Sequence, residues 1–352
     1  MVSQLIVKLE KPVIDPDEIK YKAKVNSARK YLRNRDFMHY APSLVPEPLG
    51  SETWSLAWAY IREIDDILDA PGLPTDTIKL LLYKEKQVIL DIFNNEFMFR
   101  KRHPLRYLWL WQFFKNQEKY YDNQVKDLIW ELYESAKMDI DRRYKILTNR
   151  EMDRLVYKKA VIFFKLYFTL SRLDIGKYID ELSYDLGKGL GIIDDALDFL
   201  LDYRSGYINV TKEELEILKV DMDPMDRKFV DILIKRGYYT LKAVQVMRLF
   251  LRARQIARHI KNKLLRNYIL RLTEIFGAPI IEGRLIPGEK YFIKGGEILN
   301  KLLPDNEDIA YKIGHKLMAV LLSIPQVSPT IFQGFLKSFS KLQEKFFDAP
   351  IY

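Results

Sequence analysis

Two short acidic runs carry the chemistry that this chain can offer. One reads Asp65-Asp66-Ile67-Leu68-Asp69; the other reads Asp194-Asp195-Ala196-Leu197-Asp198 and continues to Asp202. Residues three and four apart on a helix share a face. Asp65 and Asp69 are therefore expected to project together, as are Asp194, Asp198 and Asp202. The second run is otherwise apolar, with Leu190, Ile192, Ile193, Ala196, Leu197, Phe199, Leu200 and Leu201 around it. Carboxylates in such a helix are costly to bury unless something neutralises them. Two facing carboxylate clusters suit a hard cation such as Mg²⁺, which in turn holds a phosphate-rich substrate. One acidic run at helical spacing is more often a solvated face; two runs in strongly apolar helices favour a site.

The reaction this suits is metal-assisted ionisation of an allylic diphosphate. Diphosphate is a poor leaving group until its charge is neutralised, and Mg²⁺ bridging carboxylates and phosphate oxygens supplies that neutralisation. The resulting carbocation must be kept from water, so an apolar, aromatic cavity is expected around it. Aromatic residues make up 13% of the chain, and Trp54, Trp58, Tyr60, Phe163, Phe164, Tyr167, Phe168 and Phe199 fall within the expected walls.

The elements that must position these groups read as helices. Apolar residues recur at helical spacing over Ser51–Asp69, stopping at Ala70-Pro71-Gly72. Further helices are expected from Thr75 or Asp76 to about Phe99, over His103–Phe114 and Gln117–Arg143, from Thr148 or Asn149 to about Leu173, and over Ile179–Tyr203. Thr211 with Glu214 reads as a capping box. Pro224–Phe276 is expected to be helical with a break at Gly237. The glycines of Gly187-Lys188-Gly189-Leu190-Gly191 follow no strand, so they read as close helix packing rather than a nucleotide loop. Strand signals are few; Leu285–Ile293 is the one candidate hairpin or extended loop. The expected architecture is an all-α bundle with a central cavity walled by the two acidic helices. Residues 1–295 would form this domain and residues 296–352, after Gly295-Gly296, a helical extension packed on it.

Composition narrows the function classes. The chain has 352 residues, 48% of them hydrophobic, and a net charge of +9. That balance suits anionic partners: a phosphorylated substrate, an anionic membrane surface or nucleic acid. There is no cysteine, which excludes disulfides, thiolate metal sites and cysteine nucleophiles. The N-terminus does not read as a signal peptide, and no apolar run reaches the length of a spanning helix. The expected location is cytoplasmic, with peripheral contact at the inner membrane face left open. Arg248, Arg252, Arg254, Arg258, Lys261, Lys263 and Arg266 form an amphipathic basic stretch, read first as a solvated face and next as a lipid-docking one. No nucleic-acid motif accompanies it, so no nucleic-acid partner is expected. His39, His103, His259 and His315 lack metal-ligand spacing, and serine-hydrolase and Walker patterns are absent.

These residues also carry a family resemblance. Trp58-Ala-Tyr-Ile-Arg62-Glu-Ile-Asp65-Asp66-Ile-Leu-Asp69 resembles the first motif of the squalene/phytoene synthase family: an aromatic, then Arg, then DDxxD. Residues 189–210 are similar to its second motif, with Asp198, Asp202, Arg204 and Gly206 matching and Asp194 in place of a usual Asn. Met138-Asp139 with Arg143-Tyr144, and Arg35-Asp36-Phe37 with Leu44-Val45-Pro46, resemble further segments. The similarity covers roughly residues 25–280. It implies the class I isoprenoid synthase bundle and Mg²⁺-dependent head-to-head joining of two prenyl diphosphates (C15 or C20), with NADPH used by some members. Carried over, Asp65, Asp66 and Asp69 would hold metal on one wall, and Asp194, Asp198 and Asp202 on the other. Arg62 and Arg204 would brace carboxylates or meet phosphate, and Arg35 would contact diphosphate.

Departures keep other readings open. The family's small-residue segment should lie near residues 160–167, where this chain has Ala-Val-Ile-Phe-Phe-Lys-Leu-Tyr. Lys165 there has no family counterpart. The spacing of Asp194, Asp198 and Asp202 also fits a class I terpene cyclase. The second run resembles the motif of head-to-tail prenyl diphosphate synthases too, although the Arg-Arg-Gly that follows their first motif is missing. A non-catalytic descendant acting at membranes is the further alternative. Monomer and homodimer are both compatible with the sequence.

Overall fold

Helical periodicity is realised throughout: among the described residues every regular element is a helix and no strand forms. The computed structural model describes residues 15–35, 37–68, 73–121, 124–172, 175–281 and 301–323. The hairpin expected at Leu285–Ile293, the boundary at Gly295-Gly296, Asp36 and Asp69 lie outside them. The chain divides into two compact units, Met1–Ser43 with Glu52–Asn123, and Leu44–Ser51 with Gln124–Tyr352.

In the first unit run α1 (Tyr21–Arg35), α2 (Phe37–Ser43), most of α3 (Pro48–Leu68), α4 (Thr75–Phe93) and α5 (Leu105–Tyr120). Pro48 opens α3, where its missing N–H is no loss. The expected run of α4 to Phe99 is cut short because Asn95 takes a left-handed backbone, φ 59°, a conformation Asn tolerates better than most residues. Charged and polar side chains tie the helices together across an otherwise apolar interior. Tyr60 donates to Glu85 at 3.0 Å, Arg106 to Glu63 at 3.0 Å, and Asn116 to Thr53 at 3.1 Å. These bonds fasten α3 to α4 and α5. Each of these side chains finds at least one partner, as burial of a polar group favours. Trp54 and Trp58 stack with ring centroids 5.3 Å apart and are both buried.

The second unit contains α6 (Gln124–Asp141), α7 (Asn149–Val156), a π-helical turn (Tyr157–Val161), α8 (Ile162–Leu170), α9 (Ile179–Leu197) and α10 (Phe199–Arg204). After these come α11 (Lys212–Leu218), α12 (Phe229–Arg236), α13 (Tyr238–Ala257), α14 (Lys263–Ile281) and α15 (Glu307–Ser323). Helix α9 lies at the centre, between α13 and the π turn. Its glycines explain how closely it packs. A Cβ on Gly187 would stand 2.5 Å from the Cα of Val161, and one on Gly189 would stand 2.4 Å from the Phe250 ring. Gly187 and Gly191 share the face toward the π turn, while Gly189 faces α13.

Three stretches expected to be continuous helix are interrupted, the one from Pro224 a second time between Ala257 and Lys263. The one from Asn149 carries the π turn at Tyr157–Val161, and the one from Ile179 bends at Asp198. Gly237 breaks α12 from α13 as expected, at φ 103°. The expected capping box forms, Thr211 with Glu214 opening α11, and a second one, Thr148 with Glu151, opens α7. Phe164, Tyr167 and Phe168 are buried, and Lys165 pairs with Asp180 at 2.7 Å. The basic stretch is partly consumed inside the fold: Arg252 pairs with Asp185 at 2.7 Å and Arg254 with Glu274 at 3.3 Å. Helix α15 docks by Tyr311 donating to the Pro46 carbonyl and His315 Nδ1 meeting the Leu44 carbonyl, each at 2.8 Å.

Candidate functional site

The first acidic run ends α3 in the first unit. Arg62 lies one turn before it and grips both leading carboxylates, Nη1 on Asp65 Oδ2 and Nη2 on Asp66 Oδ1, each at 2.8 Å. This fork is available because positions three and four residues on lie under the same guanidinium. Asp66 also accepts from Arg35 Nε at 2.9 Å and from the Tyr31 hydroxyl at 3.1 Å, both on α1. Burial works to raise the Asp66 carboxyl, but Arg35, Arg62 and Tyr31 outweigh it and hold the group below its ordinary value. Arg35 is largely exposed. Asp65 is the more open of the two carboxylates, at 44% exposed against 16% for Asp66. Asp65 is thus the one better placed to take an outside ligand, and Asp66 the one that anchors the arginines.

The second acidic run lies in the second unit and divides into two sets. Asp194 and Asp198 are exposed, the latter at the bend between α9 and α10, and Arg204 ends α10 as an exposed side chain. Asp195 and Asp202 are more enclosed. The reason is angular. At 100° per residue, Asp195 and Asp202 differ by only about 20° around the axis, whereas Asp194 and Asp202 differ by about 80°. Asp202 bonds to Asn209 Nδ2 at 2.5 Å. Burial, with the charge of Asp195 adding to it, pushes the Asp202 carboxyl up to about 7. Burial likewise raises Asp195, against the pull of Arg142, Lys159 and Lys242.

Around this pair stand residues that the acidic motifs do not announce. Asp139 on α6 bonds to Arg142 Nε at 2.5 Å and meets Lys159 at 3.5 Å. Burial opposes ionisation of Asp139, but Lys159 and Arg142 prevail and hold its carboxyl low. Lys159 sits on the π turn; the extra residue in such a turn re-aims side chains, and π turns are frequent at functional sites. Arg142, only 6% exposed, donates Nη1 to Asn209 Oδ1 at 2.8 Å. Neighbouring Tyr144 takes a left-handed backbone and donates its N–H to the Gly206 carbonyl at 2.7 Å. Gly206 has φ 89°, and a Cβ there would stand 2.7 Å from the Tyr144 ring. Gly206→Ala is therefore expected to cost about 1–3 kcal/mol, read as a lowered urea midpoint; an unchanged midpoint would show that the Tyr144 ring yields freely.

Among the described residues no three His, Asp or Glu side chains converge closely enough to hold a metal ion by themselves. That is compatible with Mg²⁺ chemistry, because Mg²⁺ is usually held by one or two carboxylates together with substrate phosphates rather than by an all-protein cage. Asp195 and Asp202 are two carboxylates near enough for the charge of one to raise the other. Their mutual repulsion in an enclosed setting is what a divalent cation would relieve. Arginines stand beside both acidic runs, a residue type suited to phosphate oxygens.

No family model matches the chain, and no curated protein matches it in sequence. Among the described residues no helix is long and apolar enough to cross a membrane. A crystal structure of a dehydrosqualene synthase in complex with a ligand does match in three dimensions, with a TM-score of 0.56. The match covers 82% of this chain and 99% of that one at 15% sequence identity. At that identity the likeness speaks for architecture alone: the protein has an all-α, isoprenoid synthase-like fold.

Proposed function

We propose that the protein is a Mg²⁺-dependent prenyltransferase that ionises C15 or C20 prenyl diphosphates and joins two of them head to head. The observation that carries this reading is the Asp195–Asp202 pair: two enclosed carboxylates, both pushed toward neutrality, on a fold like that of a dehydrosqualene synthase. Asp195 and Asp202, with Asp194 and Asp198 beside them, would hold metal in one unit; Asp65 and Asp69 would do so in the other, with Asp66 anchoring Arg62 and Arg35. Bound there, Mg²⁺ would neutralise the departing diphosphate. Arg62 keeps Asp65 and Asp66 in register, and Arg35 and Arg204 are exposed enough to reach phosphate oxygens. Asp139 holds Arg142 and Lys159 as a second reserve of positive charge. Peripheral contact with a membrane belongs to the same proposal, since substrates and products of this class are greasy.

A second reading, a single-substrate class I cyclase, is favoured by the bulk of Phe164 and Tyr167, both buried where the family has small residues. One incubation separates the two. Pure protein with Mg²⁺ and C15 or C20 diphosphate, with and without NADPH, is extracted and analysed by mass spectrometry. The expected result is diphosphate release with a C30 or C40 product, lowered at least a hundredfold in Asp65→Ala and Asp198→Ala while both variants keep wild-type helicity. A cyclic hydrocarbon would select the cyclase. Equal turnover by wild type and both variants would remove these aspartates from the chemistry.

A further inference from the structure

In the first unit arginines meet Asp66 directly: Arg62 and Arg35 both bond to it, and its negative charge is spent on them. In the second unit the arrangement differs by one side chain. Arg142 directs Nε to Asp139 and Nη1 to Asn209, at 2.5 and 2.8 Å. Asp202 receives the Asn209 amide at 2.5 Å rather than the guanidinium. The same amide group also reaches the Asp195 carbonyl at 3.3 Å. Its orientation is dictated by its neighbours, because a guanidinium only donates and a carboxylate only accepts. Asn209 is fully buried. Its backbone is pinned as well, the carbonyl accepting from the Tyr238 hydroxyl at 3.0 Å. The side chain is therefore a fixed bridge with a positive group on one end and a negative group on the other.

We infer that Asn209 is a positioning residue that acts as a spacer: it holds Arg142 and Asp202 close while preventing the direct ion pair that would occupy the carboxylate. An amide passes on polarity without cancelling charge. Arg142 still favours the ionised state of the cluster, and its own guanidinium is held more firmly protonated by Asp139, Asp195 and Asp202 despite its burial. The second oxygen of Asp202 stays available to a divalent cation. An aspartate at position 209 could not serve, since it would set a third like charge against Asp202. A leucine could not either, since it would offer no donor or acceptor to either partner. The inference rests on the cation-binding reading given above and adds to it which neighbour keeps the ligand available.

The test uses the full-length protein with Mn²⁺ as a spectroscopic substitute for Mg²⁺, followed by electron paramagnetic resonance in the presence of inorganic diphosphate, which supplies the remaining oxygen ligands. Asn209→Ala should weaken Mn²⁺ binding about 10–100-fold, the range found when a group supporting a metal ligand is lost. In the double variant Asn209→Ala/Arg142→Gln the guanidinium that collapses onto Asp202 is gone, and affinity should return to within a few-fold of wild type. A purely structural role predicts the opposite, with the double variant binding no better than the single one, and that result overturns the spacer. So does unchanged affinity in Asn209→Ala. A crystal structure of metal-free Asn209→Ala is the independent check: an Arg142–Asp202 ion pair is expected, and its absence overturns the inference. Failure of the wild type itself to take up Mn²⁺ with inorganic diphosphate present would instead count against the proposed prenyltransferase, leaving the crystal structure to decide the spacer.

Discussion

Replacing Lys242 with methionine is expected to lower the unfolding free energy by about 3–5 kcal/mol. The ammonium lies 2.9 Å from each oxygen of Glu214, and the two side chains are 1% and 0% exposed. Glu214 does three jobs. It accepts from Lys242, it accepts from Gln245 at 2.9 Å, and it closes the capping box of α11 by accepting from the Thr211 N–H at 3.0 Å. Removing the lysine leaves a carboxylate with no counter-charge in a site that water does not reach, and that imbalance dominates the loss. Methionine fills most of the lysine volume, so little of the effect comes from a cavity. The companion variant Lys242→Met/Glu214→Gln should recover most of the loss, because glutamine keeps an acceptor for Thr211 without the stranded charge. Urea unfolding of the three proteins measures this directly. A loss below about 1 kcal/mol in the single variant would mean that the pair is far better hydrated than its burial indicates.

Asp202→Asn is expected to act in two opposite directions. It should abolish diphosphate release, and it should stabilise the metal-free protein above neutral pH. Burial, reinforced by the Asp195 charge, raises the Asp202 carboxyl from 3.8 to about 7. A raised folded value means that the native state prefers the protonated acid. The corresponding stability is complete below about pH 4 and is lost as pH rises through 7. Asparagine carries no such charge and keeps its stability across that window. By pH 8 the variant should therefore exceed the wild type by on the order of 2–4 kcal/mol, after allowing for partial exposure. The measurement is the difference in urea-derived stability between the two proteins at pH 4, 6 and 8. It should widen from pH 4 to 6 and, by a smaller amount, from pH 6 to 8, because the change is complete once pH passes about 7. Parallel pH profiles would show that Asp202 is ionised at no cost, and the argument for a cation at this position would lose its electrostatic basis.

Much of the architecture is legible in the sequence because it depends on local rules. Thr211 and Glu214 announce their helix start, Gly237 its break, and the glycines at 187, 189 and 191 their tight packing. Arg62 lies at the right spacing from Asp65 and Asp66 for its bonds to be read from helix geometry alone. What stays hidden is set at longer range. The π turn at Tyr157–Val161 has no residue signature; it follows from fitting α7 and α8 against the glycine face of α9. Asp195 is passed over because successive four-residue steps point to Asp194, Asp198 and Asp202, whereas the seven-residue relation between Asp195 and Asp202 governs which carboxylates turn inward. Arg142 and Asn209 are individually unremarkable in composition, and nothing local links residues that far apart. The aromatics assigned to cavity walls illustrate the same limit, since Trp54, Tyr167 and Phe199 pack in the interior of their units.

The bond between Arg142 and Asn209 spans 67 positions of sequence, and the Tyr144–Gly206 clasp closes a similar loop. Helices can wind within microseconds from local information, but distant segments must find each other before such closures form. A refolding chain would thus regain its circular dichroism ahead of the contacts that join Arg142, Asn209 and Asp202. Kinetically, the carboxylate arrangement is expected to form after the helices that carry it.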